Sequence, residues 1–204
     1  MRRKIAAVFA AIGWFAVAAQ YYLMIESRVM PVMEATIRFL SYFTILTNLL
    51  VALYFTLETF RATTPRPPGQ HPGTLTAITV YITVVGLGYQ LLLRHVWDPT
   101  GLQLVVDELL HSVIPLLMIA YWYLYEHKQG IRYAQVVKWL VYPLLYLVYI
   151  LLRGWASGFY PYPFVDVSSL GLARVLIHAA LFALAFVVLS VGFIRLGLAF
   201  RKER

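Results

Sequence analysis

The stretch LQLVVDELLHSVIPLLMIAYWYLY, residues 102–125, decides what kind of chain this is. It is apolar or aromatic nearly throughout, yet it carries Asp107, Glu108 and His111 in its first half and Pro115 at its centre. At a rise of about 1.5 Å per residue it exceeds the ~20 residues that cross the hydrocarbon of a bilayer. A soluble helix of this length would need a polar face. This one has polar residues only at particular depths.

Five further apolar runs reach spanning length, near Ile5–Ile25, Ala35–Leu57, Leu75–Leu93, Tyr133–Leu152 and Leu170–Leu198. The last exceeds what a bilayer needs, so it should tilt or project. Breakers separate the runs: Pro65-Arg66-Pro67-Pro68-Gly69, Asp98-Pro99-Thr100-Gly101 and Tyr160-Pro161-Tyr162-Pro163. The chain has 204 residues, 61% of them hydrophobic and only 13% charged, against roughly 25% charged in soluble domains. The expected fold class is all-α: one polytopic integral membrane bundle of six transmembrane helices, occupying residues 1–204 as a single domain.

The net charge of +8 suggests nucleic acid, but the basic residues sit in connections and tails rather than in a basic run interleaved with aromatics, so no nucleic-acid partner is expected. On one side lie Arg2, Arg3, Lys4, Arg61, Arg66, Lys128, Arg132, Lys138, Arg195, Arg201, Lys202 and Arg204. The other holds Arg28, Arg38, Arg94, Arg153 and Arg174, which completes the 17 Lys and Arg. The richer side should be cytoplasmic, giving N-in/C-in topology in the cell (inner or plasma) membrane. Arg2-Arg3-Lys4 with Ala16-Val17-Ala18 has the look of a signal peptide, but the apolar run continues to Ile25, so a retained first helix is expected. The absence of cysteine excludes disulfides, thiolate metal sites and cysteine nucleophiles.

Depth along each helix organises the polar residues. Counted from Ala35, Leu102 and Leu170, residues Thr44, His111 and His178 each lie about 12–13 Å in. Around them the same half contains Arg38, Ser41, Asn48, Gln90, Arg94, Asp107, Glu108, Arg153, Asp166 and Arg174. Ionisable groups at membrane depth are costly and mark function, so this asymmetry points to a polar cavity opening toward the outer leaflet. Ser41, Thr44 and Asn48 fall on one stripe of the second run; Thr47 lies about 60° from Thr44 and is a secondary candidate. Asp107 and Glu108 precede His111 by four and three residues, so a carboxylate can fix its imidazole tautomer. Pro115 cannot donate to the His111 carbonyl, which predicts a kink and a free carbonyl there. Structural readings stand beside these. Membrane Ser and Thr often only bond back one turn, Asp107 and Glu108 can pair with Arg153 or Arg38, Arg94 and Arg174 can snorkel, and Tyr160 and Tyr162 can form an aromatic belt. No metal-ligand spacing, P-loop or GxGxxG exists, so neither metal nor cofactor is expected.

Three segments, Ser41-Tyr42-Phe43-Thr44-Ile45-Leu46-Thr47-Asn48, Asp107 through Pro115, and Tyr160-Pro161-Tyr162-Pro163-Phe164-Val165-Asp166, together resemble a bacterial group of six-helix membrane proteins. More distantly they resemble the animal androgen-induced and androgen-dependent membrane hydrolases. That resemblance implies an intramembrane threonine hydrolase of lipid esters, notably fatty acid esters of hydroxy fatty acids, with Thr44 as nucleophile and His111 as its histidine. The residue chemistry is compatible: His111 activates the Thr44 hydroxyl, Asp107 or Glu108 orients His111, and Asn48 or Arg38 stabilises the oxyanion. His178 completes the candidate set, and the expected partner is a membrane lipid or fatty-acyl ester substrate. The rival class is a non-catalytic lipid-binding or small-solute transport protein that uses the same cavity.

Overall fold

The computed structural model describes residues 1–60 and 72–201, all helix, turn and coil. The Pro65–Gly69 connection and Arg61, Arg66, Lys202 and Arg204 lie outside the described residues. The helices are α1 (Arg2–Glu26), α2 (Val32–Phe39), α3 (Phe43–Phe60), α4 (Thr74–Gly88) running into a π-turn π1 (Tyr89–Leu93), and α5 (Gly101–Glu108) running through a second π-turn π2 (Leu109–Val113) into α6 (Ile114–Tyr125). After these come α7 (Gln135–Trp139), α8 (Val141–Ser157), a 3-10 turn at Pro163–Val165, α9 (Val167–Leu170) and α10 (Leu172–Arg201). Six of the resulting helical stretches are long and apolar enough to cross a membrane: Arg2–Glu26, Phe43–Phe60, Thr74–Leu93, Gly101–Tyr125, Gln135–Ser157 and Leu172–Phe200. The chain forms two compact units, Met1–Gly130 and Ile131–Arg204.

In the first unit α1 lies along α3, and small residues set their approach. A Cβ on Gly13 would stand 3.1 Å from the Ala52 Cβ, and Ala6, Ala10, Ala16 and Ala52 are buried beside it. Lipid supplies no hydrophobic drive between helices, so such close packing carries the association. At one end of the unit the buried Glu58 binds Arg2 at 2.6 Å, and the same guanidinium donates to the Tyr121 hydroxyl at 3.2 Å. Also at that end, Glu126 takes the Thr76 amide and hydroxyl, each at 2.9 Å, and so closes the first turn of α4. Burial pushes the Glu126 carboxyl upward, and the bonds from Thr76 oppose that shift.

The second expected span, Ala35–Leu57, is not one helix. Ser41 donates its hydroxyl to the Ile37 carbonyl at 2.7 Å, and its amide turns instead to the Arg38 carbonyl at 2.9 Å. Tyr42 follows with its amide on the Phe39 carbonyl. A serine that takes the carbonyl one turn back competes with the helix for it, and here α2 ends and α3 begins afresh at Phe43. Thr44 therefore sits in the first turn of a helix, and a depth counted from Ala35 no longer applies.

In the second unit the Tyr160–Val165 loop folds inward. Tyr160 covers Gly154, where any Cβ would overlap its ring. Tyr162 is buried and stacks on Phe164 with ring centroids 5.1 Å apart, and Phe164 meets Phe182. Both tyrosines pack within the unit.

Candidate active site

The site is built where two π-turns lie side by side. In π2 the Ile114 amide donates to the Leu109 carbonyl, five residues back, and in π1 the Arg94 amide donates to Tyr89 in the same way. The next carbonyl in the π2 series is that of Leu110, whose partner would be the amide hydrogen that Pro115 lacks. Asn48 reaches across from α3 and donates Nδ2 to the Leu110 carbonyl at 3.3 Å. The sequence expectation placed the freed carbonyl at His111, one residue later; the wider turn moves the shortfall to Leu110. The His111 carbonyl oxygen is itself met by α4, since a Cβ on Gly86 would stand 3.0 Å from it.

Asn48 uses its second Nδ2 hydrogen on the Thr44 carbonyl at 2.9 Å, so both of its donors are engaged. In this arrangement it is the link between the Thr44 turn of α3 and the His111 turn. Replacing it with leucine orphans the Leu110 carbonyl. The expected cost is about 1–3 kcal/mol, read as a thermal midpoint several degrees lower in detergent, and an unchanged midpoint would refute the linking role.

His111 Nδ1 lies 3.0 Å from the Asp107 backbone carbonyl and 3.9 Å from the nearer carboxylate oxygen. A carbonyl only accepts, so Nδ1 carries the proton and the neutral ring keeps its lone pair on Nε2. The expectation that a carboxylate fixes the tautomer is corrected: the main chain does so, because a residue four back places its carbonyl nearer than its side chain. The Asp107 carboxylate is buried and receives the Tyr89 hydroxyl at 3.2 Å and Gln103 Nε2 at 3.4 Å, with Gln103 also donating to Gln20 at 2.8 Å. Tyr89 stacks flat on His111, ring centroids 4.1 Å apart. Sequence reasoning missed Tyr89, Gln103 and Gln20; Tyr89 stands beside Gln90 in the polar half and was legible only as an aromatic.

The remaining candidates are engaged as follows. Thr44 is half buried and Thr47 fully buried. Arg38 Nε binds Glu34 at 2.7 Å within α2. Glu108 binds Arg94 at 2.6 Å and accepts the Ser112 hydroxyl at 2.6 Å, so within the first unit its partner is Arg94 where Arg38 was expected. His178 belongs to the second unit, where its Nδ1 lies 2.9 Å from the Phe164 carbonyl. Like His111 it therefore presents Nε2.

Among the described residues every regular element is helical, and six helices long and apolar enough to cross a membrane are what a multi-pass membrane protein has. Comparison with family models, curated proteins and solved structures gives no match.

Proposed function

We propose that this protein is an intramembrane hydrolase of lipid esters of the fatty-acyl type, with Thr44 as nucleophile and His111 as base. The observation that carries the reading is the His111 tautomer. With Nδ1–H held by the Asp107 carbonyl, Nε2 is the basic atom, and Asn48 ties its turn to that of Thr44. A threonine hydroxyl needs such a base to react. In the proposed sequence His111 Nε2 takes the Thr44 proton as the oxygen attacks the ester carbonyl. The proton passes to the departing alcohol when the C–O bond breaks. Water, deprotonated by the same nitrogen, then cleaves the acyl-threonine, releasing the fatty acid and restoring both groups. Asp107 orients through its carbonyl, and its buried carboxylate lies near enough to favour the transient imidazolium. The test is labelling by a fluorophosphonate probe together with turnover of long-chain esters in proteoliposomes. Wild-type protein without either activity would favour the lipid-binding or transport reading.

The same proposal places both termini in the cytoplasm, supported by the twelve-to-five division of Lys and Arg. Reporter fusions at Gly130 are expected to read cytoplasmic and at Pro99 external. An external signal at Gly130 would reverse the orientation.

A further inference from the structure

Beside His111 four polar side chains close into a ring. Arg94 Nη1 donates to Gln90 Oε1 at 2.8 Å, Gln90 Nε2 donates to Ser112 Oγ at 2.8 Å, the Ser112 hydroxyl donates to Glu108 Oε2 at 2.6 Å, and Glu108 Oε1 returns to Arg94 Nη2 at 2.6 Å. Two members come from the π1 segment and two from the α5–π2 segment, each pair four residues apart. Tyr89, next to Gln90, lies on the His111 ring, and Ser112 is the residue after His111. The ring therefore bolts the two π-turns together at the point where the histidine stands, and it contains one cation and one anion.

We propose that this ring is a positioning and charge-balancing device for His111, with Arg94 as its positioning residue: Arg94 holds Glu108 neutralised so that the histidine keeps its function as a base. The catalytic use of that base rests on the hydrolase reading; the charge balance itself does not. The charged and titratable groups beside His111 are Asp107 and Glu108 from its own helix and Tyr89 from π1, and Arg94 joins them through its ion pair with Glu108. From α1 and α3 come the neutral Gln20 and Asn48. A lone carboxylate nearby favours an imidazolium and a lone guanidinium disfavours it. Paired, the two cancel. The hydrogen bonds from Gln90 and Ser112 keep the pair in register rather than leaving it to wander as an ordinary half-exposed ion pair does.

The experiment compares Arg94→Gln, Glu108→Gln and the double variant in proteoliposomes, using the pH titration of the His111 imidazole by nitrogen-15 NMR, assigned by its loss in His111→Gln. The single variants are expected to move the midpoint by about one pH unit in opposite directions, and the double variant to return it near wild type. Turnover should follow, with kcat falling about tenfold in the singles at fixed pH, KM little changed, and recovery in the double. A purely structural ring would give losses that add in the double variant and midpoints that stay put. That outcome, or both singles moving the same way, overturns the proposal. Wild type that titrates as expected but hydrolyses no ester would sink the hydrolase reading and leave the ring standing.

Discussion

Thr44→Ala and His111→Ala are each expected to lower ester turnover by about 10³-fold or more and to abolish probe labelling, with the double variant little worse than either single. Groups that serve one step are non-additive, because losing the base or the nucleophile forfeits the same bond-making event. Thr47→Ala is the control. Its side chain is fully buried, on a different stripe of α3 from Thr44, and it should retain most activity. His111→Ala also removes the stacking partner of Tyr89, so expression and melting in detergent are measured alongside and turnover is taken per folded molecule. Full activity in Thr44→Ala would reject the nucleophile. Loss in Thr47→Ala equal to that in Thr44→Ala, with melting unchanged, would move the reactive hydroxyl one turn along the helix.

Gly86→Ala is expected to damage the site from the other side. The new Cβ would stand 3.0 Å from the His111 carbonyl oxygen and 3.2–3.3 Å from the Pro115 ring. Neither neighbour is a flexible tip: one is main chain in a π-turn and the other a proline ring. The α4–π2 contact must open, at about 1–3 kcal/mol of stability, as overpacking costs elsewhere. The turn that opens carries His111, and on the hydrolase proposal a displacement near 1 Å at its base lowers rate by about 10²-fold. Gly13→Ala makes the comparison. Its Cβ would meet Ala52 at 3.1 Å, a similar crowding in the α1–α3 contact but away from the π-turns. It should cost stability without the matching loss of turnover per folded molecule. Equal activity losses in the two variants, with equal melting losses, would make the Gly86 effect one of stability alone.

Much of this was legible in the sequence, and for a common reason. A bilayer requires about 20 consecutive apolar residues, a demand made on one segment at a time. The runs around residues 5–25, 75–93, 102–125, 133–152 and 170–198 therefore announce their helices without reference to one another. The cluster of Asp107, Glu108 and His111 was equally plain, because their spacing of three and four residues is local helical geometry. The break at residues 40–42 was harder. Ser41 held the information, but a hydroxyl that bonds back one turn is tolerated in many helices and ends only some.

What the sequence determined by itself is that this chain has six helices long and apolar enough to cross a membrane, with an ionisable cluster in the first half of one of them. Only tertiary structure decided what that cluster is. Widening the turn at Leu109–Val113 places a carbonyl deficit at Leu110, and that deficit is tolerable only because Asn48 stands sixty-two residues away in sequence and beside it in space. Glu108 pairs with Arg94, Asn48 links the Thr44 turn to the His111 turn, and Tyr89 covers the imidazole, all through contacts between separate helices. Periodicity reports which face a residue occupies on its own helix. Which helix meets that face is settled by packing, where most buried donors and acceptors must find partners at once.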